Sequence, residues 1–554
     1  MLKILLLVPL LAASAFAQSG PPATRQPTRG FPHLQRNGQA VQLMVDSVPF
    51  LVLGGELHNS SASSLAYMDR IWPRLTQMHL NTVLAAVSWG EIEQDEGRFD
   101  FTVVDGLLRD ARRNDLKLVL LWFGSWKNGL SHYAPVWVKR DVARFPRARL
   151  ASGAPEVLST LSETNRDADA RAFAAFMRHL RAVDGAQHTV LMIQVENEVG
   201  LLGDSRDRSA AANAAFSQAV PRELLAYLET NRASLLPELR TALDATGKRA
   251  GTWTEVFGAN RTADEVFMAW NYARYLNRIA AAGKAEYPLP MFVNAWIVQP
   301  QDTMPGDYPS GGPQAHVHDI WKAGAPSIDI LAPDIYLPDF RGITARYQRS
   351  GTPLFIPESR AGAEGAANAF FAVGARAAIG YSPFGIESVD SNAAATPIAK
   401  AYAVLRQLAP LILRHQASGT IAGIALTTAA AEQRISLNGY ELVVTLRAGR
   451  RGSEAAQSGY GVVIATGPDE FIVAGSNLQV TFAPAGATNR VAGLATVDEG
   501  QFVAGKWIAE RRLNGDEIMV SYNMAALAAA RQTGTGLRFG ADPTVQRVAL
   551  YQYE

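Results

Sequence analysis

From residue 50 onward, short apolar runs that end in polar or aromatic residues alternate with stretches whose apolar positions recur at helical spacing. Eight such runs are readable: FLVLGGE at 50–56, NTVLAAVSW at 81–89, LKLVLLWF at 116–123, VLMIQVENE at 190–198, MFVNAW at 291–296, IDILAPDIY at 328–336, PLFIPES at 353–359 and AAIGYSPFGI at 377–386. Several are apolar at successive positions, as strands of a parallel sheet covered on both faces must be. Amphipathic stretches lie between them, for example at 64–80 and 168–183. Eight strands alternating with helices predict a (β/α)8 TIM barrel, an α/β fold, over residues 45–395. An open doubly wound sheet shares this alternation, but no glycine-rich phosphate loop opens a first helix.

Two departures from the regular alternation set the domain plan. The link at 199–290 is too long for a βα loop and carries helical patterns at 221–246 and 264–283, so it is expected to be a helical insertion above the barrel mouth. From 396 the texture changes to one helical stretch at 396–415 and then short alternating runs such as ELVVTLRAG, YGVVIATG, EFIVAG, LQVTFAP and VQRVALYQY. Residues 396–554 therefore read as a helix plus a C-terminal all-β, sandwich-like domain, expected to pack on the barrel rather than to act as an independent sugar-binding module.

Composition narrows the function. Lys3, the apolar run from Ile4 to Phe16 and small residues at Ala15 and Ala17 read as a secretory signal peptide over 1–17, which sends the chain to the periplasm or the medium. The run is too short to span a bilayer and no later run suffices, so no membrane partner is expected for the mature form. Residues 18–44, rich at first in Pro, Gly, Arg and Gln, read as a lead-in segment. The 554 residues carry 52 basic and 51 acidic side chains; removal of 17 residues including Lys3 leaves 537 with no net charge. A chain without a concentrated positive field is not built for nucleic acid, while zero charge is compatible with a homodimer. The absence of cysteine excludes disulfides, thiolate metal sites, iron–sulfur clusters and cysteine nucleophiles.

In a barrel, chemistry gathers at the carboxyl ends of the strands. Strand four ends with Glu196, Asn197 and Glu198, and strand seven ends with Glu358. Carboxyl groups from two such strand ends face one cavity, the arrangement that glycoside hydrolysis needs. Period-two alternation places Glu196 and Glu198 on the same side, so spacing does not choose between them. Trp89, Trp122, Trp126 and Trp296 sit at or just beyond strand ends, suited either to stacking on a sugar ring or to core packing. Glu56 and His58 end strand one, and Glu93 follows strand two. His316 and His318 lack a third ligand at metal spacing and read as loop residues. No G-x-S-x-G elbow closes a strand and no H-E-x-x-H helix occurs, which argues against serine hydrolase and metalloprotease chemistry.

The run Gln194-Val195-Glu196-Asn197-Glu198-Val199-Gly200 resembles the QVENEYG signature of glycoside hydrolase family 35, retaining β-galactosidases of clan A. Leu80-Asn81-Thr82-Val83, Trp89, Glu93 and Glu96-Gly97-Arg98-Phe99-Asp100-Phe101 are similar to that family's LNTV…W…E…EGxFDF segment, and the C-terminal part looks like the β-rich domain of a bacterial branch. The resemblance implies that Glu198 is the general acid and base, Asn197 a ligand of the sugar 2-hydroxyl, Glu358 the nucleophile and Tyr336 the residue that holds it. It implies a cofactor-free, metal-free exo-β-glycosidase, a β-galactosidase acting on plant cell-wall oligosaccharides. An endo-acting glycanase of the same clan and a non-catalytic carbohydrate-binding barrel are the alternatives. One departure bears on substrate: where many members have a CAEW-type segment whose acid binds galactose, this chain has Trp122-Phe123-Gly124-Ser125-Trp126-Lys127-Asn128-Gly129. Lys127 and Asn128 are the candidates to replace that acid, with Glu56, Trp89, Trp126 and Trp296 as further candidate sugar contacts.

Overall fold

The computed structural model describes residues 30–349, 351–390, 392–449, 455–486, 489–521 and 523–554. The expected signal peptide, and the lead-in up to residue 29, lie outside the described residues. Eight parallel strands form the central sheet: β1 (Val52–Glu56), β2 (Thr82–Ser88), β3 (Lys117–Lys127), β4 (Val190–Asn197), β5 (Met291–Trp296), β6 (Ile330–Asp334), β7 (Phe355–Ile356) and β8 (Gly380–Tyr381). They pair in chain order, with β8 returning to β1. A parallel bridge between Ile335 and Ser359, with the Ile335 N–H donating to the Glu358 carbonyl at 3.0 Å, closes the ring between β6 and β7. The result is a (β/α)8 barrel.

Strand alternation divides its residues between two cores. Val52, Leu84, Val119, Leu121, Phe123, Met192, Phe292, Ile330, Ala332 and Phe355 fill the barrel interior. Their neighbours Leu53, Val83, Leu118, Leu120, Ile193 and Val293 face the surrounding helices. Successive apolar residues are therefore what a doubly covered strand requires.

Three parts differ from the sequence reading. The lead-in contributes regular structure: antiparallel strands His33–Asn37 and Ala40–Val45 join Val48–Phe50 in a small sheet whose Leu43 and Val45 plug the amino end of the barrel interior. Its second turn, Asp46-Ser47, has φ of 51° and 66°, the geometry of a tight two-residue hairpin turn without glycine. The stretch given to an insertion contains, at its end, the helix Arg261–Glu286, which packs along Glu163–Asp184 as an outer barrel helix. A Cβ at Gly283 would lie 2.2 Å from the Phe173 ring, so only glycine allows this approach. The added material is thus the short helices between Ala210 and Phe257. Finally, the helix Pro397–Ser418 is the barrel's eighth, its Tyr402 hydroxyl lying 2.9 Å from Gly54 O and 2.8 Å from Tyr381 O.

The C-terminal strands form a six-stranded and a four-stranded antiparallel sheet around a core of their own, including Ile424, Leu442, Val463, Phe471, Val480, Phe482 and Val548. This sandwich packs on the barrel's flank, where Gly374 of the helix Gly362–Ala375 meets Gly423 so closely that a Cβ would lie 2.7 Å from the facing Cα. Among the described residues no helix is long and apolar enough to cross a membrane.

Candidate functional site

The end of β4 leaves regular strand geometry. Glu196 and Glu198 both have positive φ, 62° and 45°, which for non-glycine residues marks local strain often found at functional sites. This breaks the alternation that placed the two carboxyls together. Glu196 turns into the protein: its oxygens accept from Ser125 N at 3.0 Å and Trp126 N at 2.7 Å. Asp169, from the helix Glu163–Asp184, accepts from Ser125 N, Ser125 Oγ and Trp122 Nε1 beside it. The two acids crowd Gly124, where a Cβ would meet Glu196 Oε1 at 2.5 Å, so the chain needs glycine there. Burial, and then Asp169, push Glu196 well above the usual carboxylate range. Glu196 therefore anchors the end of β3, and Glu198 is the acid at the end of β4 that reaches the mouth.

There Glu198 meets Asp334 from β6 and Glu358 from the segment after β7, one oxygen of each lying within 4.8 Å of the others. Three donors face Glu358: the Tyr336 hydroxyl at 2.9 Å, the Asn294 amide at 3.3 Å and the Asn197 amide at 3.5 Å. Asn294 also donates to Asp334 at 2.8 Å and accepts from Glu198 N at 2.9 Å, tying β4, β5 and β6 together under the cluster. Glu198 is raised to about 8 by burial and then by the Glu358 charge, with Lys127 opposing. Asp334 is raised by burial, Glu358 and Glu198 in that order. Glu358 and Glu198 thus differ: three donors face the first, while burial and the Glu358 charge push the second up to about 8. Three oxygen ligands also match a hard divalent cation, but the hydroxyl and amide donors aimed at Glu358 and Asp334 suit free carboxyls.

The remaining sequence candidates separate cleanly. Lys127 is buried, its ammonium 5.3 Å from the centre of the Phe123 ring, and its charge acts on both Glu198 and Glu56. Asn128 donates to Glu198 Oε2, which makes it a partner of the acid rather than a free sugar contact. Trp296 is half-buried at the end of β5. Glu56 is buried with the cluster.

Trp89 and Trp126 are not platforms. Both are fully buried: Trp89 donates to Glu93 at 2.6 Å and packs on Trp137, and Trp126 donates to the Leu158 carbonyl at 3.2 Å and packs edge-on against Tyr272 and Tyr275. A ring that is fully buried has no face left for a sugar. Trp122 is held inward by Asp169, and Glu93 by Trp89 and the Gly97 N–H. His58 stands at the exposed rim, 2.9 Å from Ser388 Oγ. His316 pairs with Glu265 at 2.9 Å, while buried His318 is pushed down to about 3 by desolvation, so the two do not converge on one site. Asp334 and Asn294 were missed by the sequence reading. Asp334 ends β6 and Asn294 lies two residues before the end of β5, so the strand-end rule applied to every polar residue finds the first, and the second only when it is extended to polar residues near the strand ends.

A family model described as a domain of unknown function, DUF5597, matches residues 398–525, the last barrel helix and much of the sandwich. Over 224 residues, 38% of this chain, the sequence is 27% identical to a curated β-galactosidase of Xanthomonas manihotis. The match spans 33% of that relative's length. Among solved structures, the catalytic domain of a β-amylase from Paenibacillus polymyxa gives a TM-score of 0.45 at 12% identity, covering 62% of this chain and 94% of that one. A β-galactosidase from the psychrophilic Marinomonas ef1 gives 0.44 at 14% identity, covering 66% and 62%. The curated relative is the kind of protein that the end of β4 resembles.

Proposed function

We propose that the protein is a retaining β-glycosidase, and specifically an exo-acting β-galactosidase that removes terminal galactose from plant cell-wall oligosaccharides outside the cytoplasm. The observation that carries this reading is the approach of Glu198 and Glu358 oxygens to within 4.8 Å. Retaining enzymes hold their carboxyl groups about 5–5.5 Å apart, whereas inverting ones leave about 6.5–9.5 Å for a water. In the first step a Glu358 oxygen bonds to the anomeric carbon, the bond to the glycosidic oxygen breaks, and Glu198 gives that oxygen its proton. In the second, Glu198 takes a proton from water as the water oxygen attacks the anomeric carbon and Glu358 departs. Asn197 lies beside Glu358, where the sugar 2-hydroxyl would be, and Tyr336 holds the nucleophile in place. The sugar identity rests on the resemblance at the end of β4 and on the curated relative.

A panel of aryl β-glycosides (galactoside, glucoside, fucoside, arabinoside) tests the reading. Cleavage of the galactoside with the highest kcat/KM is the expected result. Preference for another member reassigns the sugar and leaves the reaction standing. Failure on all four, together with measurable oligosaccharide binding, would replace an exo-glycosidase by an endo-acting enzyme or a carbohydrate-binding barrel.

A further inference from the structure

Glu56 is the carboxyl of the mouth cluster with neither oxygen bonded among the described residues, whereas Asp334 leaves only Oδ1 without a partner. Glu198 receives the Asn128 amide, Asp334 the Asn294 amide and Glu358 three donors. Glu56 is 1% exposed and neither of its oxygens has a hydrogen-bond partner among the described residues. A buried polar group left in this state is destabilising, so it calls for a specific explanation.

Packing does not supply one. Glu56 ends β1 with its backbone N–H on the Pro383 carbonyl at 2.8 Å, so the strand needs nothing from the side chain. The charged groups that act on it come from four sides: Glu358 after β7, Lys127 at the end of β3, Glu198 at the end of β4 and Glu387 after β8. Glu387 has its Oε1 held by the His58 N–H at 2.9 Å and the Ser61 hydroxyl at 2.6 Å, with only Oε2 left without a partner among the described residues. Lys127 is the only cation in that set. Asn128, next to Lys127, is committed to Glu198.

We infer that Glu56, with Lys127 beside it, recognises the sugar at the non-reducing end by accepting hydrogen bonds from two adjacent ring hydroxyls. This deepens the glycosidase reading and rests on it. Two oxygens of one carboxyl match a vicinal diol, and Lys127 donates to a hydroxyl oxygen on the same side. Lys127 is the one ammonium that acts on this group of carboxyls, so no surplus positive charge awaits an acidic sugar. The substrate class is therefore a neutral sugar with free neighbouring hydroxyls.

The test compares wild type and Glu56→Gln on the aryl galactoside and on analogues deoxygenated singly at C3, C4 or C6. A site built to bond a hydroxyl rejects the analogue lacking it by large factors. Wild type should disfavour at least one deoxy analogue by about 10²-fold or more, and Glu56→Gln should shrink that discrimination below about tenfold while losing little on that analogue. An equal loss on every analogue makes Glu56 a structural residue and overturns the inference, as does no loss at all. A thermal melt of Glu56→Gln identifies a folding defect. In that event Lys127→Met, on the partner ammonium, must show the same selective pattern for the inference to survive. If wild type cleaves no glycoside, the functional reading fails separately, and calorimetric titration of galactose into wild type and Glu56→Gln decides the inference: weaker binding by the variant upholds it, and equal or absent binding by both overturns it.

Discussion

Replacing Glu358 by glutamine is expected to cut turnover of an aryl galactoside by at least about 10⁴-fold, or about 5.4 kcal/mol in the barrier. The amide cannot form the covalent glycosyl ester, and the Tyr336 hydroxyl and the Asn197 and Asn294 amides would then face a neutral group instead of the carboxylate they are placed to stabilise. Folding should be little affected, because glutamine has the same shape and the cluster loses a charge that Glu198, Asp334 and Glu56 all resist. Steady-state kinetics and a thermal melt on the same preparation check both parts. A Glu358→Ala variant supplied with azide should form the inverted α-glycosyl azide, since the anion enters from the face that Glu358 vacates.

The second large effect concerns Glu198. To act as an acid it must carry a proton, so kcat/KM should fall as pH rises through about 8, the value to which burial and the Glu358 charge push it. Once Glu358 is esterified its charge is gone, the second cause of the upward shift disappears, and Glu198 ionises more readily, as its role as base in the second step demands. Glu198→Gln should cost about 10²–10⁴-fold on substrates whose leaving group needs a proton. It should cost far less in the first step on a dinitrophenyl glycoside, whose leaving group departs unassisted. Azide should then rescue turnover and give the retained β-glycosyl azide, because an anionic nucleophile needs no base. A basic limb that persists unchanged in Glu198→Gln would assign the titration to another group, with Asp334 the first to examine.

Much of the barrel was legible because its strands are doubly covered. A run such as LKLVLLWF has no polar side, and eight such runs separated by helical patterns leave few architectures. The amino-terminal sheet was not legible, since its first strand, HLQRN, is mostly polar and gains its place from the barrel end that Leu43 and Val45 close. The helices Arg261–Glu286 and Pro397–Ser418 were visible as helices, but sequence order alone did not say that each belongs to the barrel wall.

At the site, strand ends predicted which residues share the mouth but not which way each side chain turns. Glu196 and Glu198 are equivalent by alternation and are separated by two left-handed backbone positions that no residue type signals. Trp89 and Trp126 sit where platforms would sit, yet Glu93 and the Leu158 carbonyl draw them inward. Those partners lie in connections whose paths the pattern of apolar positions does not encode. Asp334 is legible by the same strand-end rule as Glu358, whereas Asn294 lies two residues inside the end of β5, where the rule does not reach.

The central claim is that Glu198 and Glu358 work as a retaining pair, and the configuration of the first-formed sugar tests it most directly. Proton NMR of aryl β-galactoside hydrolysis, recorded before mutarotation sets in, should show the β-anomer accumulating first, the outcome of two displacements at one carbon. Initial appearance of the α-anomer would mean a single displacement by water, and would contradict a mechanism built on two carboxyl oxygens 4.8 Å apart or less.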